Sequence, residues 1–409
     1  RRVIPRGTVV VRDGRISCIG SCSTSGVDQV INVSGKTIIP GWIDMHAHHH
    51  REHLAMMPRH DFETAIYLAY GITTTMDPST SSVAAFPTAE LIEAGETVGP
   101  RVFSVAEALT AGDSPGTNEV TSLAVAVSEV RRRMSWGAIF LKQYLQPTRQ
   151  QRQWAVEAAR QEGIRITAEG SMDLSHKLGM VMDGHTGGEH VTVQSPMYAD
   201  LSTFLGRAGY FYSHTPLVSG YGAWNEEYFW QESPIWLDPK QQRWIPWRQL
   251  IPHTRRFIQR PETDYSKDIL AQQIADIIAA GGYSAVGSHG QQPGLGSHWD
   301  VWMVAKATGN MTALEIASMH GARFLGMEKD LGSIAVGKVA DLMVLDRDPL
   351  VDIRNTAAIR YVMKAGALYD ATSLDEIWPR KRPFGDTYWM VPEMYRQDTK
   401  PVGTWDPPR

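Results

Sequence analysis

The stretch at positions 38–53 reads IIPGWIDMHAHHHREH and carries five histidines in its last eight residues. In a strand, residues two apart face the same side, so His46 and His48 project together and Asp44 shares that face one step deeper. A His-x-His pair at the C-terminal end of a barrel strand is a reasonable clamp for a first-row metal ion. The stretch therefore predicts the first strand of a barrel and one part of a metal site.

The middle of the chain repeats a strand-then-helix pattern. Short apolar runs such as GITTTMD, GAIFLKQY and GIRITAEG alternate with helical patterns such as QRQWAVEAARQEG. An alternation of this period indicates a parallel sheet. With IIPGWIDMHAH as the first strand and HTGGEHVTV as the sixth, it gives about eight β/α units, the number that a closed barrel needs. The sequence thus predicts an α/β fold in which residues 41–326 form a (β/α)8 TIM barrel.

Both ends of the chain have sequence patterns typical of β-strands. Residues 8–39 contain short β-branched runs separated by DGR and SGK turns, and a matching texture returns at 332–369. We therefore predict that residues 1–40 and 327–378 together form a small composite β-sandwich.

Two segments break this rhythm. An aromatic-rich insertion near 219–265 follows the seventh predicted strand. Long insertions at this end of a barrel often form lids or pocket walls, and a surface excursion with its own small core is the alternative. The tail at 379–409 is rich in Pro, Trp and Tyr with little periodicity, and we expect it to run extended over another surface.

Composition excludes several classes of protein. The chain has 409 residues, 43% hydrophobic and 21% charged, as in a globular protein with a large core. A formal net charge of −4 lacks the positive excess that is typical of proteins that bind nucleic acids or anionic membranes. No apolar run is long enough to span a bilayer. The two cysteines, Cys18 and Cys22, are too few for a disulfide framework and a weak signal for zinc. The first residues, RRVIPRGTVVVRDGR, have the pattern of a strand interior, so we expect the natural protein to extend further upstream, and periplasmic, secreted and cytoplasmic localisation all stay open.

Other predicted strands end in residues that could complete a metal site. Lys142 ends the fourth strand, Glu169 the fifth and His190 the sixth, and His289 follows the eighth. A lysine at the mouth of a barrel can be carbamylated by carbon dioxide and then bridge two metal ions; the alternative is a lysine whose charged head reaches the surface. Because all four stand at corresponding strand ends, a metal site is favoured. The remaining histidines of the opening stretch lie past the strand and are expected to be solvated or in a loop: His49, His50 and His53.

Two motifs resemble those of a known enzyme group. PGWIDMHAH is similar to the PGxxDxHxH signature that opens the barrel of the amidohydrolase superfamily, and HGARFLGMEKDLGSIAVGKVADLMVLDRDPL resembles its C-terminal signature. Within that superfamily the chain looks most like the imidazolonepropionase-like and prolidase-like branch. TAEG, DGHTGGEH, GSHGQQPGLGSHWD and DEIWPR are similar to bacterial members in which such a domain follows a TolB-like β-propeller. The resemblance implies an upstream propeller domain, and we also expect a homo-oligomer.

The resemblance implies roles for individual residues. His46 and His48 would be metal ligands, Lys142 a bridging carbamate, and His190 a metal ligand or a substrate contact. The fifth strand normally brings a histidine where this chain has Glu169. The eighth normally brings an aspartate where this chain has His289. The exchange keeps one carboxylate and one imidazole, so both can still be ligands. The implied cofactor is one or two divalent metal ions, with zinc favoured and manganese or iron as alternatives.

The expected chemistry is hydrolysis of a carbon–nitrogen bond by metal-activated hydroxide. His289 could take the water proton and deliver it to the departing nitrogen, because imidazole titrates near neutral pH; Glu169 would do so if His289 binds the metal. Tyr144 lies two residues beyond Lys142 and is a candidate to stabilise the oxyanion.

The expected substrate is a small amide or peptide-like molecule. His214 ends the seventh strand and His298 lies on the glycine-rich loop after the eighth, so both are candidate substrate contacts. One alternative is a cyclic-amide hydrolase of the imidazolone type. Another is a non-catalytic barrel module with a decayed site, although both departures from the family pattern are competent ligands and so favour an enzyme.

Overall fold

The computed structural model describes most of the chain, namely residues 3–49, 60–110, 112, 117–145, 148–170, 173–190, 196–220, 222–250, 259–387 and 389. In chain order the strands are β1 (Thr8–Arg12), β2 (Arg15–Gly20), β3 (Thr37–Pro40), β4 (Trp42–Asp44), β5 (Ile72–Asp77), β6 (Arg101–Ser104), β7 (Phe140–Gln143), β8 (Arg165–Ala168), β9 (Gly187–Glu189), β10 (Phe211–Ser213), β11 (Tyr283–Ala285), β12 (Leu342–Leu345), β13 (Ile359–Lys364), β14 (Ala367–Asp370) and β15 (Glu376–Trp378).

Helices separate the successive strands from β4 to β12. They are α1 (Phe62–Ala69), α2 (Ser82–Glu93), α3 (Leu123–Trp136), α4 (Arg149–Glu162), α5 (Leu174–Asp183), α6 (Ala199–Arg207), α7 (Asn225–Glu232), α8 (Pro239–Trp244), α9 (Trp247–Leu250), α10 (Lys267–Ala279), α11 (Leu295–Thr308), α12 (Asn310–Glu315) and α13 (Gly321–Leu325). A π-helical turn, Ile316–His320, joins α12 to α13.

Local sequence explains where these helices begin and end. In α4, Thr148 and Gln151 form a capping box that satisfies free backbone N–H groups of the first turn. The same helix ends at Gly163, whose φ of 70° is a left-handed conformation that glycine adopts without a steric penalty.

Parallel strands form the centre of the fold. Strands β4, β5 and β6 make one parallel sheet, and β7 to β11 make a second in the order β11-β10-β9-β8-β7. All eight lie between residues 41 and 326. This confirms the predicted α/β fold with parallel sheets.

Backbone hydrogen bonds connect the two parallel sheets at both of their edges. At one edge, the Leu109 N–H donates to the Lys142 carbonyl at 2.9 Å, and the Tyr144 N–H donates to the Leu109 carbonyl at 2.8 Å. At the other, Met45 donates to the Val286 carbonyl at 2.8 Å. Side chains of both sheets also share one buried cluster with α13, to which Ile43, Phe140, Ala285 and Phe324 contribute.

A five-stranded antiparallel sheet combines both ends of the chain. Its order is β15-β14-β13-β12-β3, so the N-terminal strand β3 pairs with the C-terminal strand β12. The hairpin β1–β2 turns at Asp13 and Gly14, whose φ values of 48° and 74° fit a tight turn with left-handed residues. Ile16 of the hairpin packs with Ala340 and Leu342 in a buried cluster.

The structure joins Cys18 to Cys22 in a disulfide. The sequence analysis did not predict this pairing. Both sulfur atoms are therefore committed to each other, which removes this pair as a zinc site.

The insertion after β10 packs into the main core. Phe229 of α7 stacks on Trp299 of α11 with ring centroids 4.9 Å apart, and Trp244 of α8 donates to the Thr372 carbonyl at 3.0 Å. These rings belong to the same buried cluster as Trp42. The described part of the insertion therefore packs into the main core and does not form a separate one. Positions 221 and 251–258 of this segment lie outside the described residues.

The first part of the tail covers the insertion. Phe384 and Trp389 contact Trp244 with ring centroids 5.0 and 6.5 Å apart. Positions 388 and 390–409, on which most of the predicted extended tail falls, lie outside the described residues. Within the described part of the chain, no helix has both the length and the apolar character needed to cross a bilayer.

Candidate metal centre and active site

Four imidazole rings meet at the C-terminal ends of the parallel strands. The His46 ring lies 4.9 Å from His48, 5.0 Å from His190 and 4.9 Å from His289, measured between ring centroids. His289 also lies 4.9 Å from His48 and 5.3 Å from His190. Residues far apart in sequence thus come together where the sequence analysis placed the metal site.

Three of these histidines could hold a metal ion. One ring nitrogen from each of His46, His48 and His289 lies within 4.8 Å of the other two. The Nε2 atoms of His46 and His48 are 3.1 Å apart. Two nitrogens bound to one tetrahedral zinc ion at about 2.0–2.1 Å would lie about 3.3 Å apart, so this pair fits a metal ion without rearrangement.

Two of the four histidines have left-handed backbones. The φ values are 66° for His190 and 62° for His289, a conformation that costs a non-glycine residue roughly 1–3 kcal/mol and clusters at functional sites. Hydrogen bonds hold both backbones in place. The backbone N–H of His289 donates to the His46 carbonyl at 2.7 Å, and Nζ of the buried Lys177 donates to the His190 carbonyl at 3.1 Å. Burial lowers the pKa of Lys177 to about 7.

A carboxylate bridges the lysine and one histidine. Glu169 Oε2 lies 2.6 Å from Lys142 Nζ, and Glu169 Oε1 lies 2.9 Å from His190 Nε2. Burial alone would raise the pKa of Glu169, but the hydrogen bond from His190 and the charge of Lys142 outweigh it and lower that pKa to about 2. Glu169 is therefore an anion in the folded protein.

Two imidazoles of the site, His46 and His289, are held neutral. Burial, and then the positive charge of Lys142, lowers the pKa of His46 well below its usual value. Burial and the neighbouring His48 lower the pKa of His289 to about 3. A neutral imidazole has the free lone pair that metal coordination requires.

Glu189, a buried carboxylate at the end of β9, was not among the residues predicted from the sequence. Its Oε2 lies 2.8 Å from His46 Nδ1, and its Oε1 accepts from Thr167 Oγ1 at 2.7 Å. Burial raises the pKa of Glu189 despite the opposing charge of Lys142. The available signal was an acidic residue directly after two glycines inside a buried strand, GGE.

A second buried network supports the loop that carries His289. The Asp44 carboxylate accepts from the backbone N–H of Ser288 at 3.2 Å, from Ser297 Oγ at 2.6 Å and from the backbone N–H of His46 at 3.0 Å. The carboxylate thereby ties the His46 strand, the His289 loop and the first turn of α11 together. Sequence analysis placed Asp44 on the face of the two histidines but assigned it no role.

His214 belongs to this support. Its Nε2 lies 2.6 Å from Asp300 Oδ1, its Nδ1 is hydrogen-bonded to Ser284 Oγ, and Asp300 Oδ2 accepts from the Gly287 N–H at 2.9 Å. Both ring nitrogens are therefore engaged inside the protein, and the structure does not place His214 among the four imidazoles as a substrate contact.

His298 lies away from the four imidazoles. Its ring is fully buried, with Nδ1 3.0 Å from Thr356 Oγ1, Nε2 2.9 Å from the Tyr70 carbonyl and the Trp42 ring 4.4 Å away. The structure does not bring this predicted substrate contact to the site. Burial lowers its pKa to about 3.

Tyr144 is the exposed member of the predicted set. Its ring centroid lies 5.5 Å from Lys142 Nζ, and 42% of the residue is exposed. By contrast, His49 lies in a loop past β4, which is one of the two expectations for it, but it is buried there with Nε2 3.1 Å from Thr75 Oγ1. His50 and His53 lie outside the described residues.

Comparison with protein families assigns the chain. The profile of the amidohydrolase family matches residues 37–369, which is most of the chain. The chain belongs to the amidohydrolase family. This amidohydrolase is an enzyme that acts on carbon–nitrogen bonds. A comparison with curated protein sequences gave no match.

Solved structures share the fold of this amidohydrolase. A Xaa-Pro dipeptidase with bound methionine is 20% identical, with a TM-score of 0.67 over 88% of this chain and 94% of that chain. A putative prolidase from Bifidobacterium longum is 18% identical, with a TM-score of 0.66 over 96% and 93% of the two chains. A molinate hydrolase is 18% identical, with a TM-score of 0.65 over 94% of each chain. At these identities the likeness shows the fold alone.

Proposed function

We propose that this amidohydrolase is a metal-dependent hydrolase of an amide or peptide-like bond. The observation that carries the proposal is the group of His46, His48 and His289, whose ring nitrogens lie within 4.8 Å of one another at the ends of parallel strands. A site of this kind at the strand C-termini is where barrel enzymes place their chemistry. We further propose that the two parallel sheets close into one (β/α)8 barrel and that the antiparallel strands form the accessory β-sandwich.

The three histidines would hold the metal through neutral imidazole nitrogens. Nitrogen donors in this number suit zinc, with manganese or iron as the alternatives. A divalent ion bound there lowers the pKa of a water molecule toward neutrality and polarises the scissile carbonyl.

With His289 among the metal-binding residues, Glu169 is the proton carrier in this proposal. Its carboxylate is anionic and lies between Lys142 and His190, so it can accept a proton from water and share it with the imidazole. Lys142 places a positive charge beside the site where negative charge develops during attack on a carbonyl. Tyr144, whose ring centroid lies 5.5 Å from Lys142 Nζ, would donate its hydroxyl to the same oxygen.

The number of metal ions depends on Lys142. In a mononuclear site Lys142 remains an ammonium paired with Glu169. In a binuclear site Lys142 would be carbamylated and, together with Glu169 and His190, would hold the second ion. The 2.6 Å ion pair favours the mononuclear arrangement, because carbamylation would replace a cation next to Glu169 with an anion.

Activity assays on a substrate panel test this function. Metal-free protein, and protein reloaded with Zn²⁺, Mn²⁺ or Fe²⁺, would be assayed on dipeptides that include Xaa-Pro, on N-acyl amino acids and on cyclic amides. Hydrolysis that appears only after metal is added, and that disappears in His46→Ala, supports the proposal. Equal hydrolysis by the metal-free protein would contradict it. Preference for the cyclic amides would select the imidazolone-type alternative.

A further inference from the structure

Glu189 connects two strands that belong to different parallel sheets. It ends β9, whereas His46 follows β4, and the two side chains meet through the 2.8 Å contact between Glu189 Oε2 and His46 Nδ1. Glu189 is only 3% exposed and His46 is fully buried. The contact therefore lies inside the protein, directly beneath the proposed metal site.

A hydrogen bond to a carboxylate decides which imidazole nitrogen carries the proton. A neutral imidazole has one N–H and one free lone pair, and the Glu189 oxygen that faces Nδ1 is placed to accept a hydrogen bond, as its other oxygen does from Thr167. Nδ1 of His46 must then be the donor, which leaves the lone pair on Nε2. That Nε2 atom is the one that lies 3.1 Å from His48 Nε2.

The carboxylate is itself held in place. Thr167 Oγ1, on β8, donates to Glu189 Oε1 at 2.7 Å, so each carboxylate oxygen has its own partner. Burying a carboxylate is costly, and a buried ion is weak grounds for extra stability. Its position is better explained by what it does to His46.

We propose that Glu189 is a positioning residue that fixes His46 as the Nδ1–H tautomer, with Thr167 orienting the carboxylate. The inference rests on the proposed function in one respect, namely that Nε2 of His46 binds the metal. Outer partners of this kind typically change metal affinity by about 10–100-fold. Loss of the carboxylate should therefore weaken metal binding without removing any metal-binding residue.

The test measures the tautomer and the metal affinity separately. Long-range ¹H–¹⁵N spectra of metal-free protein labelled with ¹⁵N-histidine report which nitrogen of His46 is protonated, with the signals assigned by their loss in His46→Gln. Competition with a chromophoric chelator gives the Zn²⁺ affinity. Both would be measured for the wild type, Glu189→Ala, Glu189→Gln and Thr167→Val. The matched control is Glu129→Gln, another buried carboxylate that pairs with Arg133 on α3.

The expected pattern distinguishes positioning from a general effect on folding. Glu189→Ala should populate the Nε2–H tautomer and bind Zn²⁺ ~10–100-fold more weakly. Glu189→Gln should keep the Nδ1–H tautomer and lose less than about tenfold, because its amide oxygen can still accept from Nδ1. Glu129→Gln should match the wild type in both measurements.

An unchanged tautomer and an unchanged Zn²⁺ affinity in Glu189→Ala would overturn the inference. If that variant does not fold, Thr167→Val decides: a shift toward Nε2–H supports the inference, and a wild-type tautomer with wild-type affinity overturns it. If the wild-type protein binds no Zn²⁺, the proposed function fails, while the tautomer of the metal-free protein still decides the role of Glu189.

Discussion

The carboxylate of Glu169 lies 2.6 Å from the ammonium group of Lys142 at the ends of neighbouring strands. Both side chains are nearly buried, so the pair is poorly screened by water. The charge of Lys142 therefore helps to keep Glu169 ionised, and the second oxygen of Glu169 faces His190. Replacing Lys142 should therefore impair proton transfer by Glu169 while leaving the three metal-binding histidines in place.

Replacing Lys142 by Met should lower kcat/KM by about 100-fold or more, because it removes a positive charge from beside the reacting carbonyl. The metal content should stay unchanged, because Lys142 is not one of the three proposed metal-binding residues in the mononuclear site. Steady-state kinetics and elemental analysis of the same preparation check both points.

The matched control for that experiment is Lys364→Met. Lys364 is also a buried lysine with a carboxylate partner, Glu93 at 3.2 Å, but it lies on β13 in the antiparallel sheet. Its replacement should leave kcat/KM within about twofold of the wild type. A fall in metal content in Lys142→Met, with none in the control, would instead support a carbamylated lysine that bridges two ions.

Removing the hydroxyl of Ser297 should loosen the loop that carries His289. Ser297→Ala leaves buried Asp44 without one of its donors, which should cost about 1–3 kcal/mol of unfolding free energy and weaken Zn²⁺ binding. Urea unfolding and chelator competition measure the two effects. Ser318→Ala is the control, since Ser318 is a buried serine bonded within its own helical segment. Equal Zn²⁺ affinities in the two variants would argue against this support of His289.

A methyl group at Gly287 should displace His46. A Cβ there would lie 2.9 Å from the His46 Cβ and 2.7 Å from Ser213 Oγ, which is closer than side chains normally approach. Gly287→Ala should therefore reduce Zn²⁺ affinity by at least about tenfold.

Gly179→Ala is the control for that substitution. A Cβ at Gly179, within α5, meets nothing within 4 Å, so this variant should gain roughly 0.5–1 kcal/mol of stability from its lower unfolded-state entropy. Zn²⁺ titration and urea unfolding of both variants give the comparison. Wild-type Zn²⁺ affinity in Gly287→Ala would show that the strand end tolerates movement.

The pH dependence of stability should contain a contribution from His298. Burial lowers its pKa to about 3 in the folded protein, against about 6.5 when unfolded. Between these values only the unfolded state binds the proton, so the wild type loses stability as pH falls from about 6.5 toward 3, by up to about 1.4 kcal/mol per pH unit from this group. His298→Gln should reduce the slope of unfolding free energy against pH by up to about 1.4 kcal/mol per pH unit, which is the contribution of one proton. Denaturant unfolding across this pH range tests it, and identical slopes in both proteins would contradict it.

The residues at the ends of the parallel strands could be predicted from the sequence because two general rules apply. Alternate side chains of a strand face the same side, and parallel strands end at the same edge of a sheet. These rules alone bring His46, His48, His190 and His289 to one end of the parallel strands. The Lys142–Glu169 pair follows from the same reasoning, because neighbouring parallel strands end side by side.

The rest depended on contacts that local spacing does not encode. His298 was expected near substrate because it follows a glycine-rich loop, but its partners are Thr356 and the backbone of Tyr70, which are distant in sequence. Glu189 was overlooked because its role appears only when the His46 strand lies opposite it. The Cys18–Cys22 disulfide was likewise not predicted by a spacing of four.

The most direct test of the three-histidine metal site is the metal content of protein purified without chelator, measured beside His289→Ala and His46→Ala. A three-histidine site predicts about one equivalent of a divalent transition metal in the wild type and little in either variant, together with loss of hydrolysis. Full occupancy in either variant, or no binding by the wild type even after metal is added, would contradict the three-histidine site.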